Sequence, residues 1–130
     1  MSNIQKRLEY SKAATQAGTN ALKVSLLING AAAIAMLTFI GNIANRNQVD
    51  TEIIQALASP LHWFSSGILL SALATGITYI ALEFFASNRM NKDKVGWKIN
   101  VIAIVTTAIS YCYFWSGGQV AYNVFLHWHQ

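Results

Sequence analysis

The sequence predicts an all-α integral membrane protein with three transmembrane helices, an amphipathic N-terminal helix and a short interfacial C-terminal helix. Three observations carry this. Residues 24–43 are uncharged and proline-free. At about 1.5 Å per residue, twenty such residues span about 30 Å, the hydrocarbon thickness of a bilayer. Two further apolar stretches follow at residues 61–85 and 99–115. Finally, only 11% of the chain is charged and 54% is hydrophobic, whereas soluble domains carry about 25% charge.

A chain of 130 residues supplies these spans and their connections as one membrane domain. Its parts are a cytoplasmic amphipathic helix (1–20), spans at 21–44, 61–86 and 97–116, and an interfacial tail (119–130). The basic start, Lys6, Arg7 and Lys12, precedes an apolar run longer than the roughly 7–15 residues of a signal-peptide core. It reads as a retained first span. The single Cys112 has no intrachain disulfide partner.

In the N-terminal segment Ile4 and Leu8 follow helical spacing, with Ser11 and Thr15 continuing it, and Ser2 or Asn3 in capping position. Nothing forbids one long helix through Gly18 and Lys23, with Lys23 snorkelling to the headgroups. In the first span Ser25, Asn29, Ala32, Met36 and Phe39 share a face. An amide in hydrocarbon loses its water, so Asn29 seeks another helix or a wet path. Gly30 to Ala33 permit close backbone approach.

The first connection holds Arg46, Asp50 and Glu52. Its TEIIQALA segment forms a short helix capped at Asp50 or Thr51. Pro60, the only proline, precedes the second span, where its missing N–H matters least. In that span Gly67, Ser71 and Thr75 repeat at intervals of four, with Ala72 and Gly76 beside them. This is a small-residue packing seam. Glu83 near its end needs a partner such as Arg89 or Lys92, or else contributes to a carboxylate ring at a pore mouth. In the third span Asn100, Ala103, Thr107, Ser110 and Phe114 share a face. Gly117 and Gly118 are expected to break that helix. Tyr122, Phe125 and Trp128 then place the tail at headgroup level.

Basic residues set orientation. Lys6, Arg7, Lys12 and Lys23 lie in the N-terminal segment, and Arg89, Lys92, Lys94 and Lys98 in the second connection; the first connection has Arg46 and the tail none. The N-terminus and second connection are therefore cytoplasmic, and the C-terminus periplasmic. Trp63, Trp115 and Trp128 fall at the outer interface and Trp97 at the inner one. His62, His127 and His129 gather outside without a carboxylate or thiol cluster. They read as interfacial residues, and no metal, cofactor or enzyme activity is expected. The basic face suits anionic lipid, or a nucleotide or oligonucleotide ligand on Lys6, Arg7, Lys12, Arg89, Lys92, Lys94 and Lys98.

Each span carries polar or small residues that self-association would bury, and closed symmetry is its usual outcome. Ser25, Asn29, Glu83, Asn100, Thr107 and Ser110 are the candidate pore-lining or interhelical polar groups. Gly30, Ala33, Gly67, Ser71, Thr75 and Gly76 are the candidate packing groups. The expected function is a small homo-oligomeric channel or pore-forming protein, with a tetramer as the expected ring. The strip ALKVSLLINGAAAIAMLTFIGN at residues 21–42, about a sixth of the chain, resembles first helices of small bacterial anti-phage membrane proteins. These include abortive-infection effectors of the CBASS-like or Hailong-like kind. The resemblance implies an effector that depolarises the bacterial inner membrane, and it transfers no residue roles. A phage holin and a non-conducting subunit of a larger membrane complex are the alternatives.

Overall fold

The computed structural model describes residues 3–45, 51–86 and 92–127. They form three helices: α1 (Asn3–Ala44), α2 (Thr51–Ala86) and α3 (Lys92–His127). Each contains a segment long and apolar enough to cross a membrane: Lys12–Ala44, Ile54–Phe84 and Val95–Leu126. Three apolar helices of this length are compatible with a multi-pass membrane protein.

The bundle runs up, down, up. Moving from Ser25 to Asn29 on α1, the neighbour on α2 changes from Ser71 back to Gly67, so these two helices are antiparallel. Tyr111 reaches Ala21 and Phe125 reaches Phe39, so α1 and α3 are parallel. The middle helix α2 packs along both neighbours, while α1 and α3 meet far less closely.

The buried positions follow a spacing of alternating threes and fours. On α2 they are Leu57, Pro60, Phe64, Gly67, Ser71, Ala74 and Ala81, with half-buried Thr78 between the last two. On α3 the set is Gly96, Ala103, Thr107, Ser110 and Gly117, with Asn100, Phe114, Ala121 and Val124 half-buried in step. On α1 Leu22, Ser25, Asn29, Met36 and Ile43 keep the same step, with Ala33 beside it. This is the 3.5-residue period of left-handed helix packing. It also sets where the small residues of the second span lie within one chain. A strict interval of four drifts around the helix, so Gly67 and Ser71 are buried, whereas Ala72, Thr75 and Gly76 are exposed.

Three sequence expectations need correction. Gly117 and Gly118 do not end α3, which runs on to His127 without a separate tail helix. Gly117 is buried because the Phe64 ring lies against it: a Cβ there would sit 2.7 Å from Phe64 Cε1. The glycine admits an aromatic ring, and in a helix surrounded by lipid it need not break anything. Second, no separate N-terminal helix exists, since α1 is one helix of 42 residues. Third, the TEIIQALA helix and the second span are one element, so Pro60 lies inside α2. Its ring is buried, and its missing N–H leaves the Ala56 carbonyl without its usual helical donor.

The apolar core lies toward the α1–α2 connection. Ala33, Met36, Ile43, Leu57 and Phe64 form it, with Phe39, Leu61 and Phe114 packed against them. Phe39–Phe125 and Phe64–Phe114 ring pairs, 5.1 and 5.9 Å apart, tie α3 to α1 and α2. Outside, Leu27, Ile34, Leu69, Leu73 and Ile104 are exposed. An apolar exterior of this extent suits lipid.

The Phe64–Gly117 contact should dominate the response to substitution at the glycine pair. Gly117→Leu should lower stability by about 1–3 kcal/mol through overpacking. Gly118→Ala meets no atom within 4 Å of the new Cβ and should stabilise the helix by up to about 1 kcal/mol. Denaturant titration in detergent, followed by circular dichroism, reads both.

Candidate functional site

Midway along the bundle, polar side chains from all three helices meet. Ser25, Ser71 and Ser110 each come from a different helix and are fully buried. Their hydroxyl oxygens form a triangle with edges of 2.8 Å. Ser71 and Ser110 also lie 2.9 and 2.8 Å from the Gly67 carbonyl oxygen, in position to donate to it. Those five contacts share only three hydroxyl protons. At most three of them carry a hydrogen bond at one moment, so the layer has several interchangeable bonding patterns.

Asn29 stands one turn further along α1, also fully buried. Its Nδ2 donates to the Ser25 carbonyl at 2.9 Å and to Ser110 Oγ at 3.3 Å. Its Oδ1 has no N–H or O–H donor and presses on Gly67. The Cα–H there is a weak donor, worth about 0.5–1 kcal/mol. Any side chain in place of Gly67 would occupy the position of the carboxamide. Gly67 thus serves twice, as the gap that admits Asn29 and as the carbonyl that anchors two serines.

From this layer toward the chain's N-terminal end, the bundle opens into a cleft of about 530 Å³. Thr15, Gly18, Thr19 and Leu22 line it from α1, Thr78 and Leu82 from α2, and Asn100, Ala103, Ile104 and Thr107 from α3. Thr19, Thr78 and Thr107 each donate to the carbonyl four residues earlier in their own helix, at 2.8–3.0 Å. Their lone pairs remain for other partners.

The structure therefore brings Ser25, Asn29, Ser71, Ser110 and Gly67 together, and gathers Asn100 and Thr107 at the neighbouring cleft. It separates Glu83, which is exposed and forms no ion pair with a described residue. Gly30 is half-buried with open space at its Cβ position, while Ala33 belongs to the apolar core. Lys12 and Lys98 are exposed. Lys6, Arg7, Lys92 and Lys94 lie in described helix, but their side chains, and Arg89, lie outside the described residues, as do the His127 side chain and His129. Among the described residues no three His, Cys, Asp or Glu side chains cluster to hold a metal. The Trp63 and Tyr113 rings meet at a tilt, their centroids 5.2 Å apart, and His62 is exposed beside Trp63 in sequence. The sequence offered no signal for the cleft, nor for the pairing of Asn29 with Gly67.

Comparison with known proteins returns no family model, no curated relative and no solved structure that matches the chain.

The pairing of Asn29 with Gly67 sets a clear test. Gly67→Ala alone should destabilise the bundle by about 1–3 kcal/mol or more. Combining it with Asn29→Ala removes the obstructing amide and should recover part of the loss. A double-mutant cycle should give a coupling of about 0.5–3 kcal/mol. Ser110→Ala should cost about 0.6 kcal/mol, the usual scale of interhelical hydrogen bonds in membranes.

Proposed function

We propose that the chain is a small homo-oligomeric membrane channel or pore-forming protein of the bacterial inner membrane, with its N-terminus cytoplasmic and its C-terminus periplasmic. One observation carries the reading: polar groups are lined up along the bundle interior. The hydroxyl- and amide-lined cleft leads to the Ser25–Ser71–Ser110 layer, and beyond it Met36, Leu57 and Phe64 close the path with apolar side chains. A cleft with polar groups in its lining, closed by an apolar constriction, is the form of a gate that works by dewetting. The weak contact between α1 and α3 is the seam along which such a gate would open. Self-association, with a tetramer as the working assembly, would place exposed Glu83 side chains in a ring.

The resemblance to anti-phage effectors gives this reading its specific form: depolarisation triggered by a nucleotide or oligonucleotide at the basic cytoplasmic end. A second reading has its own support. Ser25, Asn29, Ser71 and Ser110 are buried within one chain, so the bundle needs no partner to shelter them. That removes one motive for assembly around a polar axis and favours a non-conducting structural protein, such as a subunit that joins a larger membrane complex through its apolar exterior.

Ion flux from liposomes loaded with a potassium-sensitive dye decides between the two. The channel reading expects flux, with cation preference lowered by Glu83→Gln and the oligomer intact. Silent liposomes under voltage, and with added oligonucleotides, would favour the structural subunit. Orientation is read separately. A cysteine introduced in residues 45–51 should react with impermeant maleimide from outside, and one in residues 88–94 should not.

A further inference from the structure

We infer that the cleft between α1 and α3 is a binding site for an anionic phospholipid, with the headgroup at its mouth and the glycerol and upper acyl chain within. This inference stands whether or not the bundle conducts.

The position of the cleft suits a lipid. The cleft lies where α1 and α3 barely meet. It is open to the side, since Ala14, Thr15 and Gly18 on its α1 wall are exposed. A lipid can therefore enter from the membrane without crossing the protein. It also lies at the end of the bundle that carries the basic residues Lys12 and Lys98, away from the apolar core.

The lining matches the two parts of a phospholipid. Leu22, Leu82 and Ile104 offer apolar surface for a chain. Thr19, Thr78 and Thr107 have given their protons to their own helices and present lone pairs. These accept from the hydroxyls of a headgroup such as glycerol. Asn100 is half-buried and hydrogen-bonds to no described residue, so its amide is available to donate to a phosphate or ester oxygen. The volume, about 530 Å³, lies within the usual range of about 300–1,000 Å³ for small-molecule sites.

The mouth of the cleft carries a cation and an indole. Lys12 precedes Thr19 by seven residues, and Trp97 precedes Ile104 by seven, so each lies on the cleft side of its helix, two turns further out. Lys12 is exposed, and the Trp97 side chain is 63% exposed. A lysine and a tryptophan at headgroup depth are the pair that holds an anionic lipid: one meets the phosphate, the other settles in the interface.

Gly18 provides the test. It lines the cleft and a Cβ built there meets nothing within 4 Å, so Gly18→Leu adds bulk at the α1 wall with better helix propensity. The full chain in detergent is examined by native mass spectrometry and thermal unfolding, with added phosphatidylglycerol, phosphatidylcholine or glycerol phosphate. The wild type should retain a single phosphatidylglycerol and be stabilised by it more than by phosphatidylcholine. Gly18→Leu should lose both effects while unfolding, without lipid, at the same or a higher temperature. Lys12→Gln changes an exposed residue, so it tests the site even if Gly18→Leu fails to fold. It should weaken phosphatidylglycerol retention about fivefold, the equivalent of the ~1 kcal/mol typical of a lysine near an anionic surface. Equal retention by wild type and a folded Gly18→Leu would overturn the inference. So would equal effects of the two lipids that Lys12→Gln leaves unchanged. Stabilisation by glycerol phosphate alone would point to a free anion, and loss of self-association with unchanged lipid retention would point to a second copy; either outcome overturns it.

Discussion

A carboxamide in hydrocarbon has no water to fall back on, and the bundle is arranged around that constraint at Asn29. The side chain is fully buried, so its N–H groups need acceptors and its oxygen needs room. The acceptors are the Ser25 carbonyl and the Ser110 hydroxyl, which ties α1 to α3. The room is the bare Cα of Gly67, which fixes α2 at one height against α1. The three serines complete the layer, each helix contributing one hydroxyl. Lipid tails are as apolar as leucine, so burial of apolar surface does little to drive helices together here. A polar layer with one good geometry supplies the register that apolar packing alone leaves loose.

This layer divides the bundle into unlike halves. On one side aromatic and aliphatic side chains, Phe39, Phe64, Phe114 and Leu57 among them, fill the space between helices. On the other, Thr19, Ala103 and Thr107 leave it partly empty. Small residues alone do not produce that difference, because Gly117 lies in the filled half with Phe64 packed onto it. The difference lies in what faces the small residue. Opposite Gly117 stands a phenylalanine, whereas Gly18 has nothing opposite it.

The three apolar runs were legible in the sequence because length and lack of charge suffice to identify them. The faces Ser25–Asn29–Met36 and Asn100–Thr107–Ser110 were legible too, since polar groups stand out against an apolar helix. The complete packing period was not. In water an apolar stripe marks the core, but here Leu27, Ile34 and Leu69 on the outside are as apolar as the interior. Around the polar layer the inward positions are marked by being small or polar, a weaker signal than an apolar stripe. Glycine punctuation failed at Gly117 for a related reason: the penalty for helical glycine is set partly by water competing for its backbone, and a buried helix has little. Where the threonines leave space unfilled depends on three helices at once, and no single stretch of chain records it.

The unbroken course of α1 links the protein to the thickness of its membrane. A helix of 42 residues is about 63 Å long at the usual rise, roughly twice the hydrocarbon depth of a bilayer. It has no hinge at which the excess is absorbed, and Gly18 lies within continuous helix. The bundle therefore meets a change in thickness by tilting, by shifting along the bilayer normal or by projecting the polar first turns of α1 further into water, with mismatch costing fractions of a kcal/mol per Å. A thicker bilayer draws the threonine-lined cleft into hydrocarbon; a thinner one brings headgroups and water toward the serine layer. Lipid chain length thus becomes a variable to which the interior of this protein is directly exposed.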